Sequence, residues 1–219
     1  MLFSKRLIQC EMLDQAPEEL AHANLADLRR INRHFGGHYV VRRTVERAVN
    51  GNRNFTLLDI GCASGDVARM LNAQYPHARI TCFDYKTINM KAAPHPKVLA
   101  DAFQLPFRPA SFDFVLSSLF LHHFTDDQAT ELLRAFYLLA RKALLICDLE
   151  RQLIPYIFLP ATRALFRWNR ITVHDGIRSV RASFRHTELL QLARQAGIPN
   201  AEVRAHRPAF RLSMVARRY

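Results

Sequence analysis

From residue 55 onward the chain alternates short apolar runs with amphipathic stretches, and this rhythm constrains the fold more than any other feature. Residues 55–60, 79–84, 97–100, 112–117 and 142–148 have the length and apolar character of buried strands, whereas 65–74 and 126–140 repeat apolar residues at helical intervals. Strands joined through helices pair in parallel, so the spacing predicts a βαβ series around one parallel sheet. After a helix over Thr187–Ala196, capped by Gly197 and stopped by Pro199, two last strands are predicted at 201–206 and 210–217.

The rhythm changes in two places. Residues 17–35 open with Pro17, Glu18 and Glu19, suited to a first helical turn, and then place Leu20, Leu25, Leu28, Ile31 and Phe35 at mostly helical intervals. Gly36 and Gly37 end that helix, and Tyr39–Val49 resumes the pattern until the turn Asn50-Gly51-Asn52. Residues 1–50 therefore read as an N-terminal helical segment, which the Gly36-Gly37 pair would let move as a lid, and 51–219 as the main domain. Within it, 151–186 reads as an inserted cap: an apolar and aromatic run, Leu153 to Trp168, with Arg167, Arg170, Arg178, Arg181 and Arg185 beside and after it.

The bulk composition of the 219 residues, 49% hydrophobic and 23% charged, is that of a globular domain and excludes a fibrous repeat or wholesale disorder. No run of about 18 uncharged apolar residues occurs and the first residues lack a signal-peptide pattern, so a soluble, cytoplasmic protein is expected. Cys10, Cys62, Cys82 and Cys147 stand apart, without metal-site spacing, and read as reduced thiols. No metal is expected. The net charge of +12 suits a polyanion, an anionic membrane surface or a merely solubilising surface, and does not choose among them.

The chemistry is carried by Leu57-Leu58-Asp59-Ile60-Gly61-Cys62-Ala63-Ser64-Gly65-Asp66, a buried strand entering a small-residue turn and then a helix. Small residues let a ligand touch backbone, and the amides of such a turn face the carboxyl end of the strand, where open parallel sheets hold ligands. Asp84, nineteen positions beyond Gly65, ends the next strand, where a carboxylate can accept both hydroxyls of a ribose. Asp101 follows the third strand and can accept from an adenine amino group. The glycine spacing lacks the GxGxxG of nicotinamide dehydrogenases, and no GK[ST] of a P-loop is present.

LLDIGCASGD at 57–66, FDY at 83–85, ADAFQLPF at 100–107 and SFDFVLSSLFLHHF at 111–124 together resemble the class I S-adenosylmethionine-dependent methyltransferases, in particular the small-molecule branch similar to ubiquinone and menaquinone methyltransferases. The resemblance covers roughly residues 55 to 150. Ala63 stands where the family usually has its middle glycine. The resemblance implies a Rossmann-like, seven-stranded, mostly parallel α/β sheet with helices on both faces. It also implies S-adenosyl-L-methionine as cofactor. Asp59, Gly61, Cys62, Ala63 and Gly65 would surround its methionine part, Asp84 its ribose, and Asp101, Ala102 and Tyr85 its adenine, with Ser117 facing the sulfonium and the acceptor.

For the acceptor side, His174, beside Asp175 in what reads as an Asp-Gly turn of the cap, is the first candidate base, and His122 is held in reserve. Phe35 and Tyr39 of the lid and Arg178 and Arg181 of the cap are the candidate acceptor contacts. The expected partner is a small hydrophobic acceptor, aromatic, quinone-like or polyketide-like, methylated on oxygen. A peripheral membrane contact is compatible with the cap, and the chain is expected to be a monomer or homodimer. An RNA or protein methyltransferase is the competing reading, although no [DNS]PP[YF] motif occupies Ser117-Ser118-Leu119-Phe120 and no specific nucleic acid is expected. A non-catalytic cofactor-binding protein is the third.

Overall fold

The computed structural model describes residues 5–9, 12 and 18–218. Pro17 and Cys10 lie outside them, as does the side chain of Leu20. Helices α1 (Glu18–His34) and α2 (Gly37–Val49) precede the sheet strands β1 (Thr56–Ile60), β2 (Arg79–Asp84), β3 (Lys97–Leu99), β4 (Phe112–Ser118) and β5 (Ala140–Leu149). Between them run α3 (Asp66–Gln74), the short α4 (Thr87–Met90) and α5 (Asp126–Leu139). After β5 come α6 (Leu153–Phe166), α7 (Arg170–Ala182), α8 (His186–Gln195), β6 (Glu202–His206) and β7 (Arg211–Arg217).

The seven strands form one sheet in the order β3-β2-β1-β4-β5-β7-β6. Strands β1 to β5 pair in parallel, and β7 enters antiparallel between β5 and β6. The order reverses at β1, whose neighbours are β2 and β4, and that reversal opens a crevice beyond the carboxyl ends of these strands. This is the Rossmann-like architecture expected.

Strand alternation explains the two cores. Leu58, Ile60, Val115, Leu144 and Ile146 pack on one face under α5 and α8, through Leu132, Leu133, Phe136, Leu189 and Leu192. Their neighbours Leu57, Phe114, Leu116, Ala143 and Leu145 point to the other face, under Val40, Val41 and Val45 of α2 and Leu71 of α3. Helix α2 is therefore a layer of the core rather than part of a lid. Gly36 makes the sharp break between α1 and α2 at φ 88, where a Cβ would lie 2.5 Å from that of Ala209. Among the described residues of 1–50, α1 is the helix that covers the crevice.

The cap resolves into the hairpin of α6 and α7. His174, Asp175 and Gly176 lie inside α7, not in the turn predicted for them. Gly176 is there because α6 presses on it: a Cβ would collide with Cδ1 of Leu159. Close helix contact has overridden the ordinary reading of Asp-Gly as a turn. Among the described residues no helix is long and apolar enough to cross a membrane.

Candidate active site

The turn after β1 is built from left-handed backbone at Gly61 (φ 74), Ala63 (φ 46) and Gly65 (φ 73). The Gly61 and Cys62 amides both donate to the Phe83 carbonyl, at 2.9 and 3.1 Å, which ties the turn to the end of β2. The Ala63 amide donates to Asp84 Oδ2 at 2.9 Å and the Lys86 amide to Oδ1 at 3.0 Å, so the carboxylate is fixed by the backbone on both sides. An alanine in the left-handed region costs about 1 kcal/mol, and the charge-assisted bond to Asp84 offsets a cost of that order. At Gly61 a Cβ would lie 2.5 Å from the Phe120 ring, so this glycine is needed for packing as well as for φ.

These elements border a cleft of about 490 Å³, walled by Asp59, Asp84, Asp101 and Ala102 on the sheet side and by Leu25, Leu28, Arg29 and Asn32 of α1 opposite. Asp59 is 1% exposed and its Oδ2 has no hydrogen-bond partner among the described residues. Burial first, then the charges of Asp84 and Asp66, pushes its carboxyl up to about 7. Asp66 also lines the cleft and bonds His38 at 2.7 Å. In a chain with an excess of 12 positive charges, Asp59, Asp66, Asp84 and Asp101 outnumber Arg29 and Lys86 in this cleft, an arrangement suited to a cationic ligand.

A second cavity of about 390 Å³ lies under α1, α6 and α7 and is mostly apolar, with Ile31, Phe35, Ile154, Phe158, Leu159 and Phe210 among its walls. Leu28, Asn32, Leu119 and His123 border both cavities, so the two meet along α1 and the segment after β4. His122 lines the second cavity from a buried position, with its Nδ1 2.6 Å from Asp148 Oδ1 and its ring 4.2 Å from that of His123. Burial opposes ionisation of Asp148, but the charge and hydrogen bond of His122 and the Leu149 amide outweigh it and hold the carboxyl below its usual range.

Of the residues singled out in the sequence, Asp59, Gly61, Cys62, Ala63, Asp84, Tyr85, Asp101 and Ala102 line the cleft. Gly65 lies behind it as the cap of α3, its Cα facing Pro94. Ser117 does not face the cleft: it is fully buried, and Ser118 and Leu119 reach the rim instead. Phe35 lines the second cavity and packs edge-on against Phe158 and Phe166 at 4.8 and 5.5 Å. Tyr39 borders neither cavity and is 50% exposed on α2, under the Arg43 guanidinium.

Arg178, Arg181 and His174 also border neither cavity. The residues of α7 that do so are Thr172, Asp175, Gly176, Ser179 and Val180, spaced three and four apart, and the other three side chains fall off that stripe. His174 instead bonds Asp175 through Nδ1 at 2.8 Å. Sequence reasoning missed the aromatic wall of Phe103, Phe120 and Phe124, whose rings lie 5.5 and 4.9 Å apart along the chain of contacts. Its signal was the aromatic content of the segments after β3 and β4.

Residues 58–147 match the family model described as a methyltransferase domain. The chain carries a methyltransferase domain over that stretch, from β1 to β5. The solved structure of the plantazolicin methyltransferase BpumL, in complex with a pentazolic desmethylPZN analogue and S-adenosylhomocysteine, is 14% identical and superimposes with a TM-score of 0.72 over 94% of this chain and 93% of that one. Magnesium protoporphyrin IX methyltransferase from Synechocystis, with S-adenosylhomocysteine bound, is 17% identical, with a TM-score of 0.60 over 84% of each chain. At such identities these likenesses establish the fold of the methyltransferase domain. In sequence, the human mitochondrial arginine-hydroxylase NDUFAF5 is 38% identical over 89 residues, which is 38% of this chain and 26% of that protein. The match thus spans about a quarter of the human protein's length.

Proposed function

We propose that this protein transfers a methyl group from S-adenosylmethionine to an oxygen of a small, largely apolar acceptor. The observation that carries the reading is the meeting of two cavities, one acidic and one apolar, at Leu28, Asn32, Leu119 and His123. The cleft fits the cofactor on its own chemistry. Asp59 Oδ2 is orphaned where an ammonium would pair with it, and Asp84 keeps lone pairs for ribose hydroxyls beyond its two backbone bonds. Asp101, Ala102 and Phe103 supply the wall for a purine. When bound, the cofactor supplies an electrophilic methyl on a positively charged sulfur.

The remaining work falls to the chain. Phe35, Phe158 and Leu159 exclude water and hold the acceptor beside the junction, and positioning of this kind lowers a barrier by as much as about 7–11 kcal/mol. The Asp148 carboxylate, 2.6 Å from His122 Nδ1, orients that imidazole in the wall of the acceptor cavity beside His123. His122, the reserve candidate in the sequence, is thereby a histidine on the acceptor side, where His174 is not.

The hydroxylase name of the human relative makes the product the decisive measurement, because one fold hosts several chemistries. The protein is incubated with S-adenosylmethionine and an extract of phenolic and polyketide metabolites, and products are read by mass spectrometry. A product heavier by one methylene supports the reading. Gain of one oxygen, labelling of protein or RNA alone, or absence of any product rejects it.

A further inference from the structure

Arg211, the first residue of β7, lies opposite Leu149 in the antiparallel register and is 4% exposed. It lines the apolar cavity. Its Nη2 donates to Asn32 Oδ1 at 3.2 Å, but Nε and Nη1 have no partner among the described residues. Asp148, the carboxylate whose charge bears most on it, is already engaged by His122. A guanidinium taken out of water with most of its donors unpaired is one of the more costly arrangements a core can hold. The side chains around it do not relieve that cost, being largely apolar. A ligand with an anionic oxygen would.

We infer that Arg211 is the recognition residue for an acidic acceptor, pairing with a carboxylate or ionised phenol carried by an otherwise apolar molecule in this cavity. The inference rests on the reading of the cavity as the acceptor site, and it deepens that reading from an apolar acceptor to an acid. The role that the sequence offered to Arg178 and Arg181 passes to Arg211, the one of the three that borders the cavity. Asn32, which bonds Arg211 and borders both cavities, places the anionic end of the acceptor near the cofactor cleft.

The test uses hydroxylated naphthoates, benzoates and medium-chain fatty acids, each paired with its primary carboxamide, and naphthols paired with their methyl ethers. Binding to the full chain is measured by calorimetry with S-adenosylhomocysteine present, and by thermal shift without it. The expected result is that at least one acid binds about tenfold or more tightly than its neutral partner, a margin typical of a buried charge-assisted contact. A carboxylate preference and a naphthol preference distinguish the two sources of the anion. In Arg211→Met the preference should fall to about twofold or less, while affinity for S-adenosylhomocysteine is unchanged. Equal binding of acids and neutral partners by the unaltered protein overturns the inference without recourse to any variant, as does failure of the whole panel or a preference that survives Arg211→Met. Absence of S-adenosylhomocysteine binding would instead strike the proposed function, and the thermal-shift comparison would still decide the acid preference.

Discussion

Replacing Asp59 by Asn tests whether the cleft holds a charge that only a ligand satisfies. The Asp59 carboxyl ionises at 3.8 when free and at about 7 in the folded chain, because burial, followed by Asp84 and Asp66, disfavours its charge. Each pH unit of difference corresponds to about 1.4 kcal/mol, so above neutrality the native side chain destabilises the free protein by about 4 kcal/mol. The amide has no such penalty. Below about pH 4 the carboxyl is protonated both folded and unfolded, and variant and parent should be equally stable by this mechanism. From there to about pH 7 the parent loses stability relative to Asp59→Asn, and above that the difference levels off. For a domain of this length the full difference corresponds to roughly 10 °C in Tm. Scanning calorimetry across this range reads the effect, and titration with S-adenosylhomocysteine at about pH 8 should show the opposite loss, about ten- to a hundredfold in affinity. A variant no more stable than the parent at about pH 8, or one that binds the ligand equally well, would refute the assignment.

Asp84→Asn should weaken S-adenosylhomocysteine binding by more than tenfold, read by calorimetry, since it removes the fixed carboxylate while keeping a side chain that can still meet the Ala63 amide. His122→Gln should lower kcat at least tenfold with cofactor affinity little changed, read by steady-state kinetics and calorimetry, since it removes the ring that Asp148 holds in the wall of the acceptor cavity. Gly176→Val should push Leu159 toward the apolar cavity, raising acceptor KM and lowering stability by about 1–3 kcal/mol in denaturant titration. Phe35→Ala should raise acceptor KM while leaving cofactor affinity close to that of the parent, because its aromatic contacts are with Phe158, Phe166 and Trp168 of the cap.

The sheet was legible because adjacent apolar residues in its strands, such as Leu57 with Leu58 and Leu144 with Leu145, can be buried together only where both faces are covered. Asp84 was legible for a related reason: a carboxylate closing a buried strand is costly without a task. What escaped was set by alternation and by distant contacts. Ser117 and Ser118 differ by one position, and that position decides between the interior of the sheet and the rim of the cleft. Helix α7 escaped because the local preference of Asp175-Gly176 gave way to the approach of α6, which no short window of sequence contains. Arg211 looked like any other arginine of a basic chain, and its burial follows only from β7 entering beside β5.

Helix α1 has one further consequence. Two of its side chains, Leu28 and Asn32, serve as the party wall of two rooms, so a tenant on one side touches the same plaster as a tenant on the other. Linkage then requires that whatever factor the donor molecule adds to the acceptor's affinity, the acceptor returns in equal measure. With donor and acceptor placed as proposed, titrations performed with one room vacant should report a different constant from those performed with both in use, and the ratio measures the coupling across this wall.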